Sequence, residues 1–356
     1  MIVCKFGGSS LADAGRVRAC AEILRADAAR RFAVVSAPGK RFAGDEKITD
    51  LLLRAAGGDA RALDTALERF AAMAAQLGVD MEGELRRAAA EVPIRGTDYA
   101  ASRGEYLCAL LLAKYLGWAF VDAAEVICLR AGRDDVEESC AHLLRRLKPL
   151  RNAVIPGFYG ADAAGGIRTF PRGGSDITGA LVAAALGARL YENWTDVDGL
   201  RSADPQLVEG TVRVPTISYR QMRLLSRMGA QVLHPDSLFP VMRADIPTAL
   251  KDSFHPERPG TLVRAGKGTR VPCVSGRTLR SGEALLAALC PDAFAACGAA
   301  VEALRGAGIQ PRGLEARRDQ LLLRVRGRCL SDGLRALHRA LVVEGRARAK
   351  AGPVPR

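Results

Sequence analysis

Two glycine-rich segments of this chain each pair a cation with glycines and hydroxyls at an expected strand-to-helix junction. The first is KFGGSS, residues 5–10, directly after the apolar run of residues 1–4. The second is TFPRGGSDITGALVAAAL, residues 169–186, with Arg172 before the glycines and Asp176 at an expected helix start. Glycines let backbone N–H groups approach a phosphate closely, and a helix N-terminus adds positive potential. Lys5 at the end of a strand would add a full charge. This is not the Walker pattern, which places its lysine after the glycines and four residues between them. Taken singly, KFGGSS also suits a plain turn with a solvated lysine, and Asp176 suits a helix N-cap. Its other role would be the acceptor that orients Lys5 and a metal-bound phosphate. A third stretch, ENWTDVDGLRSADP at 192–205, runs from a strand into an Asp-rich loop. Open α/β sheets bind ligands at such strand ends, although a surface turn reads the same way.

These segments need a sheet to bring them together. Through residue 263, short β-rich runs alternate with longer helical ones, the pattern of a mainly parallel sheet covered by helices on both faces. The fold class expected is a three-layer αβα sandwich plus a small ferredoxin-like α+β module. Strands are expected at 2–6, 31–36, around 118–122, from 152 and at 188–195. Helices are expected at 13–25, through most of 50–92, at 103–116 before Gly117, and at 176–186 before Gly187. Residues 261–274 look like a boundary and connector. Beyond it a strand, helix, two strands and a helix follow, at 284–289, 292–306, around 313–316, 320–325 and 331–341. The expected division is 1–263 and 264–356.

At 356 residues the chain is long enough for two domains. It has no long uncharged apolar run and no signal-peptide pattern, so a cytoplasmic protein without a membrane segment is expected. Nine cysteines without a CxxC pair suggest reduced, buried thiols rather than a disulfide framework or zinc cluster. Cys4 and Cys108 read as core residues, and His234 as a helix-end packing residue, with no metal site expected. The net charge of +13 sits mainly in the tail, where residues 264–356 hold 18 Lys and Arg against 7 Asp and Glu. Few aromatics accompany these dispersed arginines, so a solvated basic surface is expected rather than a nucleic-acid interface.

Seven motifs in order over residues 1–263 resemble the aspartate kinases of the amino acid kinase family. They are KFGGSSLA, VVSAPGKRFAGDEKITDLL, SRGEYLCALLLAKYLG, PGFYG, TFPRGGSDITGALVAAAL, YENWTDVDGL and MGAQVLHPDSLFPVMRADIPTAL. The resemblance implies transfer of the γ-phosphoryl group of ATP, carried with Mg2+, to the β-carboxylate of L-aspartate. That reaction is the first step toward lysine, threonine and methionine. It also implies a homodimer or higher homo-oligomer.

Residue by residue, the resemblance makes Lys5 and Asp176 catalytic and assigns the aspartate pocket to Ser36, Thr49, Glu105, Arg172 and Ser175. Arg172 matches the arginine that forks a substrate carboxylate, and Glu105 the glutamate that holds the ammonium. Lys5, Gly7, Gly8, Ser9, Thr195 and Asp196 match the nucleotide side. Two departures stand there: Gln206 and Gln231 occupy positions where relatives usually carry cations. Arg201, where an aromatic is common, is expected to restore one charge. The 93 residues after Val263 leave room for one ACT-like unit where regulated relatives usually carry two. Two alternatives stay open: a kinase for another acidic amino acid, and an amino-acid sensor without turnover.

Overall fold

The computed structural model describes residues 1–345 except 131, 132, 172, 231–234 and 267. Two compact units emerge, Met1–Val197 with Asp236–Pro259, and Asp198–Pro235 with the chain from Gly260 onward.

The first unit begins β1 (Ile2–Phe6), α1 (Ala14–Arg25), β2 (Arg30–Val35), α2 (Ile48–Ala56), α3 (Ala60–Leu77), α4 (Glu82–Glu91) and α5 (Thr97–Leu116). It continues β3 (Ala119–Phe120), α6 (Ala123–Val126), β4 (Leu129–Arg130), β5 (Arg133–Asp134), α7 (Val136–Leu147), β6 (Ala153–Pro156), β7 (Tyr159–Ala161) and β8 (Ile167–Thr169). Then come α8 (Gly174–Ala185) and β9 (Leu190–Thr195). After β10 (Thr216–Ser218) and α9 (Tyr219–Arg227) of the second unit, α10 (Phe239–Arg243) and β11 (Thr248–Asp252) complete the first.

Six of its strands pair in parallel, in the order β11, β9, β1, β2, β6, β3. Side chains of a strand alternate between faces. Ile2, Cys4 and Phe6 of β1, with Ala33 and Val35 of β2, therefore bury one face against α1, α2, α3 and α5. Lys5 points to the other face, where α8 lies. This is the expected layered α/β fold with a mainly parallel sheet. Helix signals act where the sequence carries them: Asp13 caps α1 by accepting from Arg16 N at 2.9 Å, and Gly117 ends α5 in the left-handed conformation at φ 68°.

In the second unit β10 pairs in parallel with β12 (Thr261–Arg264). A four-stranded antiparallel sheet follows, made of β13 (Cys273–Thr278), β14 (Glu283–Leu289), β15 (Gly313–Arg317) and β16 (Gln320–Arg326), in the order β13, β14, β16, β15. Helices α11 (Ala293–Gly306) and α12 (Leu330–His338) supply Leu304, Leu334 and Leu337 to its core, against Leu286, Leu321, Leu323 and Val325. The expected strand, helix, two strands and helix are present. Strand β13 lies partly in the stretch read as a connector; its Gly276 and polar Ser275 hide the strand pattern.

The units do not divide with a single cut at 263. Ala203 and Val208 join the apolar core of the antiparallel sheet, and Ser202 Oγ lies 2.9 Å from buried His338 Nε2. Ser202 O also accepts from Val274 N at 2.7 Å. Ala203, Leu207 and Val208 thus pack with the C-terminal segment, a long-range association that hydrophobic periodicity does not report. No helix among the described residues is long and apolar enough to cross a membrane.

Candidate active site

Lys5 is the fourth residue of β1 and stands in register between Val34 of β2 and Asn193 of β9. Its Nζ lies 2.7 Å from Asp176 Oδ1, with the two side chains only 10% and 17% exposed. Asn193 Nδ2 donates to the same oxygen at 2.9 Å, and Tyr191 OH donates to the Asp176 carbonyl at 3.2 Å. Asp176 is therefore not the N-cap of α8. Gly173, at φ 63°, takes that position without a side-chain cap, and Asp176 sits inside the first turn with its carboxylate aimed at β1.

One strand position away, on the opposite face, Glu192 forms the support. Its carboxylate accepts from Arg30 Nε at 2.8 Å, Arg30 Nη2 at 3.2 Å and Trp194 Nε1 at 3.0 Å. Removing one partner of such a buried ion pair typically costs about 3 to 5 kcal/mol, because the other charge stays buried and unpaired. The pair fixes β9, and with it the direction of Asn193.

Loops after β1, β2 and β6 close over the same end of the sheet. Ser36 N donates to Phe6 O at 3.1 Å, and Gly157 N to Val35 O at 2.9 Å. Gly39 N donates to Gly8 O at 2.8 Å, and a Cβ on Gly8 would stand 2.7 Å from Ala37 O. A Cβ on Gly157 would lie 2.6 Å from Ser175 Cβ. These are contacts of backbone on backbone or on a first side-chain carbon, with no flexible tip to yield. The glycines thus bring Gly8, Ser36 and Ser175 toward one site. Ser175 is buried, and Ser36 and Thr49, the second residue of α2, are half-buried.

Glu105 enters from α5. Gly104 makes that possible, since a Cβ there would fall 2.7 Å from Ala37 Cβ. Glu105 is 5% exposed, and its Oε2 has no hydrogen-bond partner. Burial pushes its carboxyl up from 4.5 to about 8, against the opposing pull of the Ala37 backbone bond and the Lys5 and Arg103 charges. A buried acceptor held beside a lysine and lacking a partner is suited to a small cationic group. The adjacent Arg103 guanidinium packs over the rings of Tyr99 and Tyr106 at 4.3 and 4.1 Å, which anchors this turn of α5.

On the other side of Lys5, Gly7 N donates to Trp194 O at 3.0 Å. Ser10 Oγ lies 2.6 Å from Ser253 Oγ, and Ser253 N donates to Thr195 O at 2.8 Å. Gly7, Gly8 and Ser9 therefore lie beside the end of β9, where Thr195 Oγ1 donates to Asp196 Oδ1 at 3.1 Å. In the second unit, Arg201 Nε donates to Thr211 Oγ1 at 2.7 Å, and Gln206 is exposed with its N–H on Asp204 Oδ1 at 2.9 Å. Arg172, Gln231 and His234 lie outside the described residues.

Arg69 was not legible as a site residue. Lying within the helical stretch ALERFAAM, it is 7% exposed and reaches back under the loops. It donates to Glu46 O at 2.7 Å, Gly39 O at 2.9 Å and Ala12 O at 3.4 Å, and lies 3.6 Å from Asp45. Three loop carbonyls converge on one guanidinium. Only its partners, all distant in sequence, distinguish it from a surface arginine of an amphipathic helix.

A parallel sheet with glycine-lined strand ends, a lysine–aspartate pair and a buried carboxylate define a phosphate-handling α/β kinase architecture. The chain belongs to the amino acid kinase family, whose model matches residues 1–252. It is 36% identical over 287 residues to aspartokinase 3 of Bacillus subtilis, an alignment covering 74% of this chain and 63% of the relative's length. Its structure is similar to that of Clostridium acetobutylicum aspartate kinase, with a TM-score of 0.87 at 29% identity, over 96% of this chain and 100% of that one. It is also similar to Escherichia coli aspartokinase III in complex with aspartate and ADP, with a TM-score of 0.80 at 25% identity, over 96% and 99% of the two chains.

Proposed function

We propose that this protein is an aspartate kinase that moves the γ-phosphoryl group of ATP to the β-carboxylate of L-aspartate. The observation that carries the reading is the Lys5–Asp176 pair beside the buried Glu105, whose Oε2 has no hydrogen-bond partner. The similarity to aspartate kinases, one of them in complex with aspartate and ADP, supports the choice of substrate and nucleotide.

A substrate carboxylate is already ionised at neutral pH, so its oxygen attacks phosphorus without a general base. The new O–P bond forms as the bond to the β–γ bridging oxygen breaks, and ADP leaves. Catalysis then consists of bringing two anions together and neutralising charge as it spreads over the transferring group. Lys5 supplies the positive charge, oriented by Asp176. The N–H groups of Gly7, Gly8 and Ser9 line the phosphates, with Thr195 and Asp196 beside them; the resemblance alone assigns Arg201, Gln206 and Gln231 to the nucleotide. Glu105 receives the substrate ammonium, Arg172 forks a carboxylate, and Ser36, Thr49 and Ser175 supply hydroxyls.

Magnesium would arrive with the nucleotide as an oxygen-ligated ion that keeps several waters. The Asp176 carboxylate is an oxygen donor at the site that suits it. A homodimer or higher homo-oligomer and a cytoplasmic location belong to the same reading, as does an ACT-like role for the antiparallel module.

The test is purified protein with MgATP and L-aspartate, L-glutamate or N-acetylglutamate, with the acyl phosphate trapped by hydroxylamine. Hydroxamate from aspartate alone supports the proposal. Product from another acceptor instead would reassign the substrate, and none from any acceptor would favour a sensor without turnover.

A further inference from the structure

Among the described residues, one trio of metal-ligating side chains stands apart from the site above. The ligand atoms of Cys128, Glu138 and His142 all lie within 4.8 Å of one another. They come from two pieces of chain. Cys128 follows α6 and bridges in parallel to Ala161 at the end of β7. Glu138 and His142 stand four residues apart on α7, and so share a face of that helix. Ser139 binds the two pieces together, because its Oγ accepts from Cys128 N at 2.9 Å. Asp135 N donates to Cys128 O at 2.9 Å and adds a second tie.

We propose that Cys128, Glu138 and His142 form a binding site for one divalent transition ion of the zinc type, with water as fourth ligand. Cys128 Sγ and His142 Nδ1 are 3.4 Å apart. A tetrahedral ion with metal–sulfur and metal–nitrogen bonds of roughly 2.3 and 2.0 Å sets that edge at about 3.5 Å. The two strongest ligands thus stand at coordination spacing before any ion enters. Thiolate, imidazole and carboxylate together suit zinc or cobalt, whereas magnesium and calcium take oxygen donors.

The charge around the site agrees. Two carboxylates, Asp135 and Glu138, face it, and the cation that meets both is Arg130, at 3.1 Å from Asp135 Oδ2 and 3.1 Å from Glu138 Oε2. Arg130 is 74% exposed, so its guanidinium can turn to solvent at little cost and leave the Glu138 carboxylate to the metal. Binding exchanges the thiol S–H bond for an S–metal bond and releases one proton to solvent, with no change of oxidation state. No CxxC spacing announces the site, because the thiol and the imidazole belong to different elements. This inference does not depend on the kinase reading.

The experiment uses the full chain, stripped with chelator and titrated with cobalt(II) chloride. One equivalent is expected to bring a sulfur-to-cobalt charge-transfer band, which zinc chloride then bleaches one for one. Calorimetry in two buffers of different ionisation enthalpy should show about one proton released per metal. Cys128→Ser should abolish the band, and His142→Ala and Glu138→Gln should weaken zinc binding at least about 10-fold. Cys140→Ser should keep both band and affinity. Circular dichroism in chelator checks that each variant folds, and His142→Ala carries the test if Cys128→Ser does not. Absence of a thiolate band at one equivalent would leave the 3.4 Å contact as a thiol–imidazole hydrogen bond and overturn the site. A band that survives in both Cys128→Ser and His142→Ala would overturn it equally.

Discussion

Lys5 Nζ and Asp176 Oδ1 meet at 2.7 Å across the face of the parallel sheet, and Asn193 donates to the same oxygen. The ammonium is thereby aimed before a substrate arrives, and the carboxylate is held from two sides. Lys5→Ala is expected to lower kcat about 10²- to 10³-fold, the usual effect of losing one group that neutralises transition-state charge. Asn193→Ala should cost less, since it loosens only the orientation of Asp176. Both are read by the hydroxamate assay, and an unchanged kcat in Lys5→Ala would remove this lysine from the chemistry.

Glu105 ties stability to pH. Burial raises its carboxyl from 4.5 to about 8, so between these values the folded chain keeps a proton that the unfolded chain gives up. The native state binds more protons there, and stability falls as pH rises through that window. Near pH 7 the penalty reaches up to about 3 kcal/mol. Glu105→Gln should therefore melt higher than the parent at pH 8 and level with it near pH 4.5, in thermal scans at both values. The same variant should raise KM for aspartate roughly 10- to 100-fold, the worth of a hydrogen bond to a charged group.

Aspartate binding should carry the same signature. An ammonium needs Glu105 ionised, so the free protein must release the Glu105 proton to bind it. The expected kcat/KM for aspartate rises with pH up to about 8, and Glu105→Gln flattens that limb. A parent profile already flat between pH 6 and 8 would contradict this role.

Arg69→Met would leave the carbonyls of Gly39, Glu46 and Ala12 without their shared donor. Each buried acceptor left unsatisfied costs about 1 to 3 kcal/mol. The expected result is a lower urea midpoint for the first unit and weaker substrate binding, because Gly39 is bonded to Gly8 beneath the site. Urea unfolding and KM measured together separate this from a purely global loss.

Gly157→Ala would place a methyl 2.6 Å from Ser175 Cβ and 2.7 Å from its Cα. Overpacking of this kind costs about 1 to 3 kcal/mol. The displaced residue lies at the start of α8, one position before Asp176, so activity should fall along with stability. Gly83→Ala, on an exposed helix with open space around it, is the control: it should leave activity unchanged and hold or slightly raise stability, since alanine favours the helix over glycine.

The parallel layered architecture was legible in the alternation of short β-rich runs with helical ones, and the glycine segments were legible as places where backbone must come close. Asp13 and Gly117 announced helix ends by chemistry that acts within a few residues. Asp176 shows the limit of such local signals. Near a helix start it reads as a cap or as the acceptor for Lys5, and the neighbouring strands decide for Lys5, with Asn193 on the same oxygen.

The amino-acid sequence by itself determined the alternation of strands and helices, the motif set that marks the family, and the residue types available for phosphate and carboxylate chemistry. Those follow from local sterics, side-chain periodicity and composition, all properties of nearby residues. Only the tertiary structure decided that Glu105 is buried with Oε2 unpartnered, that Arg69 gathers three loops, that Cys128 faces His142, and that Ala203 and Val208 share a core with the C-terminal sheet. Burial and long-range pairing depend on which distant surfaces meet, and solvation and Coulomb energies are set by that meeting rather than by the neighbours along the chain.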